Sequence, residues 1–175
     1  MKSDKIKFAV IGCGHIGKRH AAMIQNNEES ELVAMMDALP KGKLKGMEQF
    51  EDVAFFNSVD EMLSANLDID VINIASPNGF HEEHALKVLK AGKHVVIEKP
   101  MSLTKAGCEK IIFKALQNSK QVFCVMQNRY SPPSVWLKEI IEKRVLGDIY
   151  MVQTNCYWNR DDRYYKKDGC TALSI

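Results

Sequence analysis

A length of 175 residues accommodates one full α/β domain and the opening of a second. The 46% hydrophobic and 26% charged composition is that of a globular chain; a net charge of +2 argues neither for nor against a nucleic-acid partner, and no basic stripe interleaved with aromatics is present. No apolar run approaches the roughly 18 residues that span a bilayer, and the five scattered cysteines, with no C-x-x-C pair, fit reduced thiols in a cytoplasmic protein rather than a zinc site.

Met1-Lys2-Ser3-Asp4-Lys5 leads straight into an apolar run and leaves no room for a signal peptide. That run, Ile6-Lys7-Phe8-Ala9-Val10-Ile11, is predicted as a buried parallel strand. Gly12-Cys13-Gly14-His15-Ile16-Gly17 follows and fits G-x-G-x-x-G. Gly12 permits the tight turn, Gly14 lets backbone approach a pyrophosphate, and Gly17 lets the next helix pack closely on the sheet. The N-terminus of that helix, running from Gly17 to about Asn26, offers free N–H groups to the phosphates. His15 is placed to touch the pyrophosphate, whereas His20 reads as structural.

A dinucleotide site also needs an acid about 20 positions on, at the end of a second strand. Glu31-Leu32-Val33-Ala34-Met35-Met36 supplies the strand and Asp37 the acid. A carboxylate there accepts ribose hydroxyls and repels a 2′-phosphate, which favours NAD over NADP; the nearby Lys41, Lys43 and Lys45 would soften the preference. The stretch from Pro40 to Gly46 reads as turn and helix start, and Val53 to Phe56 as a third strand. Ser58-Val59-Asp60-Glu61 is a capping box opening a helix. Val71 to Ala75 is a fourth strand, broken by Ser76-Pro77-Asn78-Gly79. A helix from about Phe80 to Ala91 ends at Gly92, in the position that favours a left-handed residue. His94 to Ile97 is the fifth strand, Thr104 caps a helix to about Asn118, and Val122 to Met126 is the sixth strand. Regular βα alternation of this kind predicts an α/β fold with a doubly wound parallel sheet, a Rossmann domain spanning residues 1–128.

Beyond it, Ser131-Pro132-Pro133 starts a helix through Trp136, Leu137, Ile140 and Ile141 that ends near Gly147. Ile149 to Trp158 is predicted as one long strand. Residues 129–175 then read as the beginning of an incomplete α+β substrate domain, since one helix and one strand cannot bury their own apolar faces.

Glu98-Lys99-Pro100, just past the fifth strand, places an amine at the carboxyl end of the sheet, where open α/β sheets bind ligand. Oxidising a secondary alcohol needs a group to take the hydroxyl proton, and Lys99, partly desolvated and so lowered in pKa, is the candidate base. Glu98 points to the opposite side and orients backbone or cofactor amide; Pro100 is expected to follow a cis bond. The plainer alternative is a solvated lysine at a strand end.

These residues resemble the glucose–fructose oxidoreductase and inositol dehydrogenase (Gfo/Idh/MocA) family of NAD(P)-dependent sugar oxidoreductases. The likeness runs from Ile6 to about Gly169. It rests on the glycine motif, Ser76-Pro77-Asn78 with His81, Ala91-Gly92-Lys93-His94-Val95, and Glu98-Lys99-Pro100. Gln127-Asn128-Arg129-Tyr130-Ser131-Pro132, with Tyr157-Trp158-Asn159-Arg160 and Tyr164-Tyr165, looks like the narrower branch that oxidises UDP-N-acetylglucosaminuronic acid at C3 for surface polysaccharides. The resemblance implies Lys99 as the catalytic residue, touching both substrate and cofactor. It implies NAD contacts from Gly12, Gly14, His15, Ile16, Gly17, Asp37, Ser76, Asn78, His81, Glu98 and Asn128. Substrate contacts would come from Arg129, Tyr130, Trp158, Asn159, Arg160 and Tyr165. It further implies a small-molecule substrate, no metal, no nucleic-acid or membrane partner, and a homo-oligomer for full-length members. The pattern holds through Gly169 and then stops; codon degeneracy allows one restored base to return it, so a frameshifted, inactive product is expected, with an arbitrary end of the sequence as the alternative. The competing expectations are a non-catalytic NAD-binding remnant, a dehydrogenase of another sugar or inositol, and a regulatory NAD sensor.

Overall fold

In a computed structural model, which describes residues 5–157 and residue 159, six parallel strands form one sheet in the order β3-β2-β1-β4-β5-β6. The strands are β1 (Ile6–Ile11), β2 (Ser30–Met36), β3 (Ala54–Phe56), β4 (Val71–Ile74), β5 (His94–Ile97) and β6 (Val122–Cys124). Helices α1 (His15–Gln25), α2 (Val59–Ser64), α3 (His81–Lys90) and α4 (Lys105–Gln117) connect them. The order reverses between β1 and β4, so the loops leaving these two strands diverge and open a crevice at their carboxyl ends.

The sheet is covered on both faces, which is why its central strands are apolar at most positions. Ala9 and Ile11 of β1 pack on one side with Val59 and Met62 of α2, Val88 and Leu89 of α3, and Ile111 of α4. Val10, between them, faces the other side with Ala21 and Ile24 of α1 and with Met47 and Phe50. The helices meet the sheet through small or apolar residues one turn apart, such as Gly17, Ala21 and Ile24 on α1 or Gly107, Ile111 and Ala115 on α4.

Helix ends follow local chemistry. Ser58 Oγ accepts from Glu61 N at 3.1 Å, and the Glu61 carboxylate returns to Asn57 N at 3.2 Å, one residue earlier than in the usual reciprocal box. Thr104 Oγ1 accepts from Gly107 N at 3.0 Å. At the end of α3, Gly92 takes φ +74°, and the Gly92 and Lys93 amides bond to Leu89 and Val88 carbonyls, closing a Schellman motif.

The described residues divide into two compact units, the first through Val125 and the second beginning at Met126. The second unit contains α5 (Pro132–Glu142), which follows Ser131 in the N-cap position, without a side-chain capping bond, and has Pro132 and Pro133 in its first turn. The long strand expected from Ile149 is not formed: residues 149–157 carry no regular structure, and Tyr150 is 95% exposed. A strand exists only by pairing, and among the described residues after α5 there is no second strand to pair with it.

Ile72, fully buried in β4 between two neighbouring strands, measures how tightly this core is packed. Ile72→Ala should lower the unfolding free energy by about 2–5 kcal/mol, read by urea denaturation; a loss under about 1 kcal/mol would mean the site collapses without a cavity.

Candidate functional site: the carboxyl edge of the sheet

Four strand ends of the first unit build the site. After β1, Gly12 turns with φ +91°, and a Cβ there would lie 2.6 Å from Ser76 N and 2.7 Å from the Ala75 carbonyl. Only glycine permits this approach, which brings the glycine loop against the peptide leaving β4. A Cβ on Gly17 would strike the Gly12 carbonyl oxygen, so α1 sits directly on the turn. Gly14, in contrast, has nothing within 4 Å of its would-be Cβ. It is the N-cap of α1 with no side chain closing that end, and His15 and Ile16 after it are exposed. Open space in front of uncapped helical N–H groups is what a pyrophosphate requires.

Asp37, at the end of β2, ties this loop down. Its Oδ2 accepts from Cys13 N at 2.7 Å and its Oδ1 from Leu39 N at 2.9 Å. Each oxygen keeps a further lone pair for a ribose hydroxyl. The Cys13 thiol beside it is pushed up to about 12, first by burial and then by the Asp37 carboxylate, and so is held as an unreactive thiol. Of the lysines expected to soften the NAD preference, Lys41 spends its ammonium on the Phe50 and Glu51 carbonyls at 2.9 and 3.1 Å.

After β4, Ser76 is buried and its Oγ bonds His84 Nδ1 at 3.0 Å, while Asn78 opens a 3-10 turn, Asn78–Phe80. His84 also stacks on Phe80, 5.8 Å between ring centroids, and burial foremost lowers its pKa. His81 departs from expectation: its ring is 1% exposed, and both nitrogens face backbone carbonyls, Ser76 O at 2.8 Å and Pro100 O at 2.7 Å. With both nitrogens so committed it offers nothing to a cofactor directly.

After β5, the Lys99–Pro100 bond is cis. Glu98 is an internal anchor: Oε1 meets His20 Nε2 at 3.0 Å, and Oε2 accepts from Lys99 N at 3.2 Å. His20 is in turn met at Nδ1 by Asn73 Nδ2, 3.0 Å away, while Asn73 Oδ1 is buried without a partner. Asn73 is the residue that sequence reading passed over, although a polar residue inside an apolar strand is a signal for it; His20, read as structural, joins Asn73 to Glu98. Lys99 itself is exposed, so the first unit does not supply the partial desolvation expected of it.

Asn128, Arg129 and Tyr130 are exposed residues of the second unit, where the Asn128 carbonyl accepts from Ser131 N and Oγ. Asn159 is exposed, and Trp158, Arg160 and Tyr165 lie outside the described residues. Among the described residues no cluster of three or more potential metal ligands forms, and no helix is long and apolar enough to cross a membrane.

Strand order, glycine turn and acidic strand end together define an NAD-binding Rossmann domain. Residues 6–126 match the family model described as an oxidoreductase family with NAD-binding Rossmann fold, and the chain belongs to that Gfo/Idh/MocA family. It is 31% identical over 152 residues to the D-glucoside 3-dehydrogenase of Escherichia coli strain K12, covering 86% of this chain and 43% of that protein. It is likewise 31% identical over 150 residues to the inositol 2-dehydrogenase/D-chiro-inositol 3-dehydrogenase of Halalkalibacterium halodurans, covering 85% and 43%. Among solved structures, the WlbA dehydrogenase of Bordetella pertussis, in complex with NADH and UDP-GlcNAcA, superposes with a TM-score of 0.84 at 34% identity. That match covers 92% of this chain and 50% of the other. The chain thus spans a little under half the length of the curated relatives it matches.

Asp37→Ala should weaken NADH binding by roughly tenfold or more, the value of ~1.5–3 kcal/mol for hydrogen bonds to a charged group, and should narrow the gap to NADPH. Calorimetry showing equal affinities for the two in the unmodified chain would contradict the role given to this carboxylate. A second expectation concerns acid. Because His84 has a lower pKa folded than unfolded, the unfolded chain takes up more protons as pH falls through the range from its ordinary value of 6.5 down to the depressed one. Stability should therefore be highest above that range and decline within it, and His84→Gln should flatten the slope in denaturation curves taken across it. An unchanged slope would remove His84 as the cause.

Proposed function

We propose that this site serves an NAD-dependent dehydrogenase that oxidises a secondary hydroxyl of a sugar, with C3 of UDP-N-acetylglucosaminuronic acid as the substrate position. In this proposal the cofactor domain runs through about Asn128, and the substrate domain begins after it.

The observation that carries the proposal is Lys99. It is an exposed amine at the carboxyl end of β5, its backbone N–H bonded to Glu98 and its following proline carbonyl bonded to His81. The fit of the cofactor is supported by the open space at Gly14, the uncapped start of α1 and the spare lone pairs of Asp37. NAD, when bound, supplies the hydride acceptor. The Gly14 turn receives the pyrophosphate and Asp37 the ribose hydroxyls. Lys99, as the free amine, takes the proton of the hydroxyl being oxidised, which lets the carbonyl form. Glu98 holds the lysine's backbone in place through its own contact to His20. The UDP-sugar substrate is supported by the likeness to a dehydrogenase solved with NADH and UDP-GlcNAcA; the glucoside and inositol relatives are the competing substrates.

Joined to a complete substrate domain, this chain should form NADH with UDP-N-acetylglucosaminuronate and not with simple glucosides or inositols. Turnover confined to a glucoside or an inositol would overturn the substrate and leave the chemistry standing. In the same assay Lys99→Ala should lower kcat by roughly 10²–10⁴, the loss expected on removing a general base, with NADH binding nearly intact. A near-normal kcat would take Lys99 out of the mechanism.

A further inference from the structure

Two histidines hold the Glu98–Pro100 segment, and their hydrogen-bond partners differ in kind. His20 lies between Asn73 Nδ2, a donor, and Glu98 Oε1, an acceptor. A neutral ring with one N–H satisfies both. His81 lies between Ser76 O and Pro100 O, and a carbonyl oxygen can only accept. A neutral His81 would leave one bare ring nitrogen pressed against a carbonyl oxygen at 2.7 or 2.8 Å, lone pair against lone pair, in a place that is 1% exposed. The only form that completes both bonds is the imidazolium.

We propose that His81 is a positioning residue that, as the imidazolium, latches the turn after β4 to the turn after β5 and thereby fixes the stretch that presents Lys99. The two strands are neighbours in the sheet, and the ring spans their exits at Ser76 and Pro100. Deprotonation removes one of the two bonds and replaces it with a repulsion, so one turn is released on the alkaline side. The Glu98 anchor is unaffected, since His20 needs no second proton.

The charged surroundings of His81 pull both ways. It stands in the first turn of α3, whose positive dipole end opposes a cation, and the charge of His84, further along α3, couples to it unfavourably. Glu82 and Glu83 share that first turn and favour it. Glu82 is itself held by Ser102 Oγ at 3.1 Å and by Lys110 Nζ of α4 at 3.3 Å. Glu83 pairs with Lys87, which also reaches Asp60 of α2. From the turn after β5 come Lys99 and the His20-bound Glu98. Against these, only the charged ring completes both short bonds to backbone.

The inference rests on Lys99 being the presented group, but its test needs no substrate and no turnover. In the isotopically labelled chain, nuclear magnetic resonance can follow the His81 ring nitrogens and two backbone amides through a titration over the histidine range, about pH 5–8. The Met101 amide shares its peptide with the Pro100 carbonyl and so reports that bond. The Lys99 amide, bonded to Glu98, serves as control. At the acid end both His81 nitrogens should carry protons. The Met101 amide should shift in step with loss of the second proton, while the Lys99 amide stays still. A ring that keeps both protons to the alkaline end with Met101 unmoved also supports the latch. A ring that is neutral at the acid end, or one that titrates without moving Met101, overturns it. Loss of the dehydrogenase reading through an active Lys99→Ala enzyme would leave these signals unchanged, so the two failures are separable.

Discussion

The approach of the Gly12 backbone to the Ala75–Ser76 peptide constrains everything else at the carboxyl edge of this sheet. Parallel strands leave β1 and β4 side by side, and the chain must turn in opposite directions from each. With any side chain at position 12 the glycine loop would be forced off the β4 exit. With Gly12 in place, α1 starts immediately over the turn, Gly17 lets it settle onto the Gly12 carbonyl, and the open side of Gly14 faces the crevice. The location of the anion-binding end of α1 is thus a steric consequence of one missing Cβ and its neighbour.

Around that turn, buried or half-buried polar groups act mainly on backbone. Asp37 fixes the Cys13 amide, Glu98 fixes the Lys99 amide, and His81 joins two carbonyls. Carboxylates accepting backbone N–H bonds are stronger than neutral pairs, and each costs desolvation that the bond must offset. The result is a rigid frame from which few groups project freely, and Lys99 is one of those that do. Preorganisation of this kind would position the amine proposed as the base without requiring it to be buried by its own domain.

Most of the first unit was legible in the sequence because each of its signals is local. The glycine motif, the capping serine and threonine, Gly92 and the short apolar runs all act within a few residues, and the observed strands and helices agree with them to within a few positions. The extended run from Ile149 failed for the complementary reason: a strand is a property of two segments, and sequence shows only one of them. The site was half legible. Asp37 and Lys99 stand at strand ends, where periodicity places them. The roles of Asn73, His20 and His81 depend on which atoms of separate elements meet, and no spacing rule encodes that residues of α1, β4 and α3 converge on one cis-proline segment. His81 illustrates the difficulty, since a histidine after a Ser-Pro-Asn turn reads as a ligand contact and is instead wholly occupied by backbone.

The central claim is that the turn between β1 and α1 receives the cofactor while Asp37 reads its ribose. A crystal structure of this chain with NADH tests it most directly. The expected result is a pyrophosphate over Gly14 within hydrogen-bond reach of the first α1 amides, with the adenosine ribose hydroxyls on Asp37 while that carboxylate keeps its bond to Cys13 N. A cofactor seated away from the Gly14 turn, or an Asp37 turned from the ribose, would contradict it.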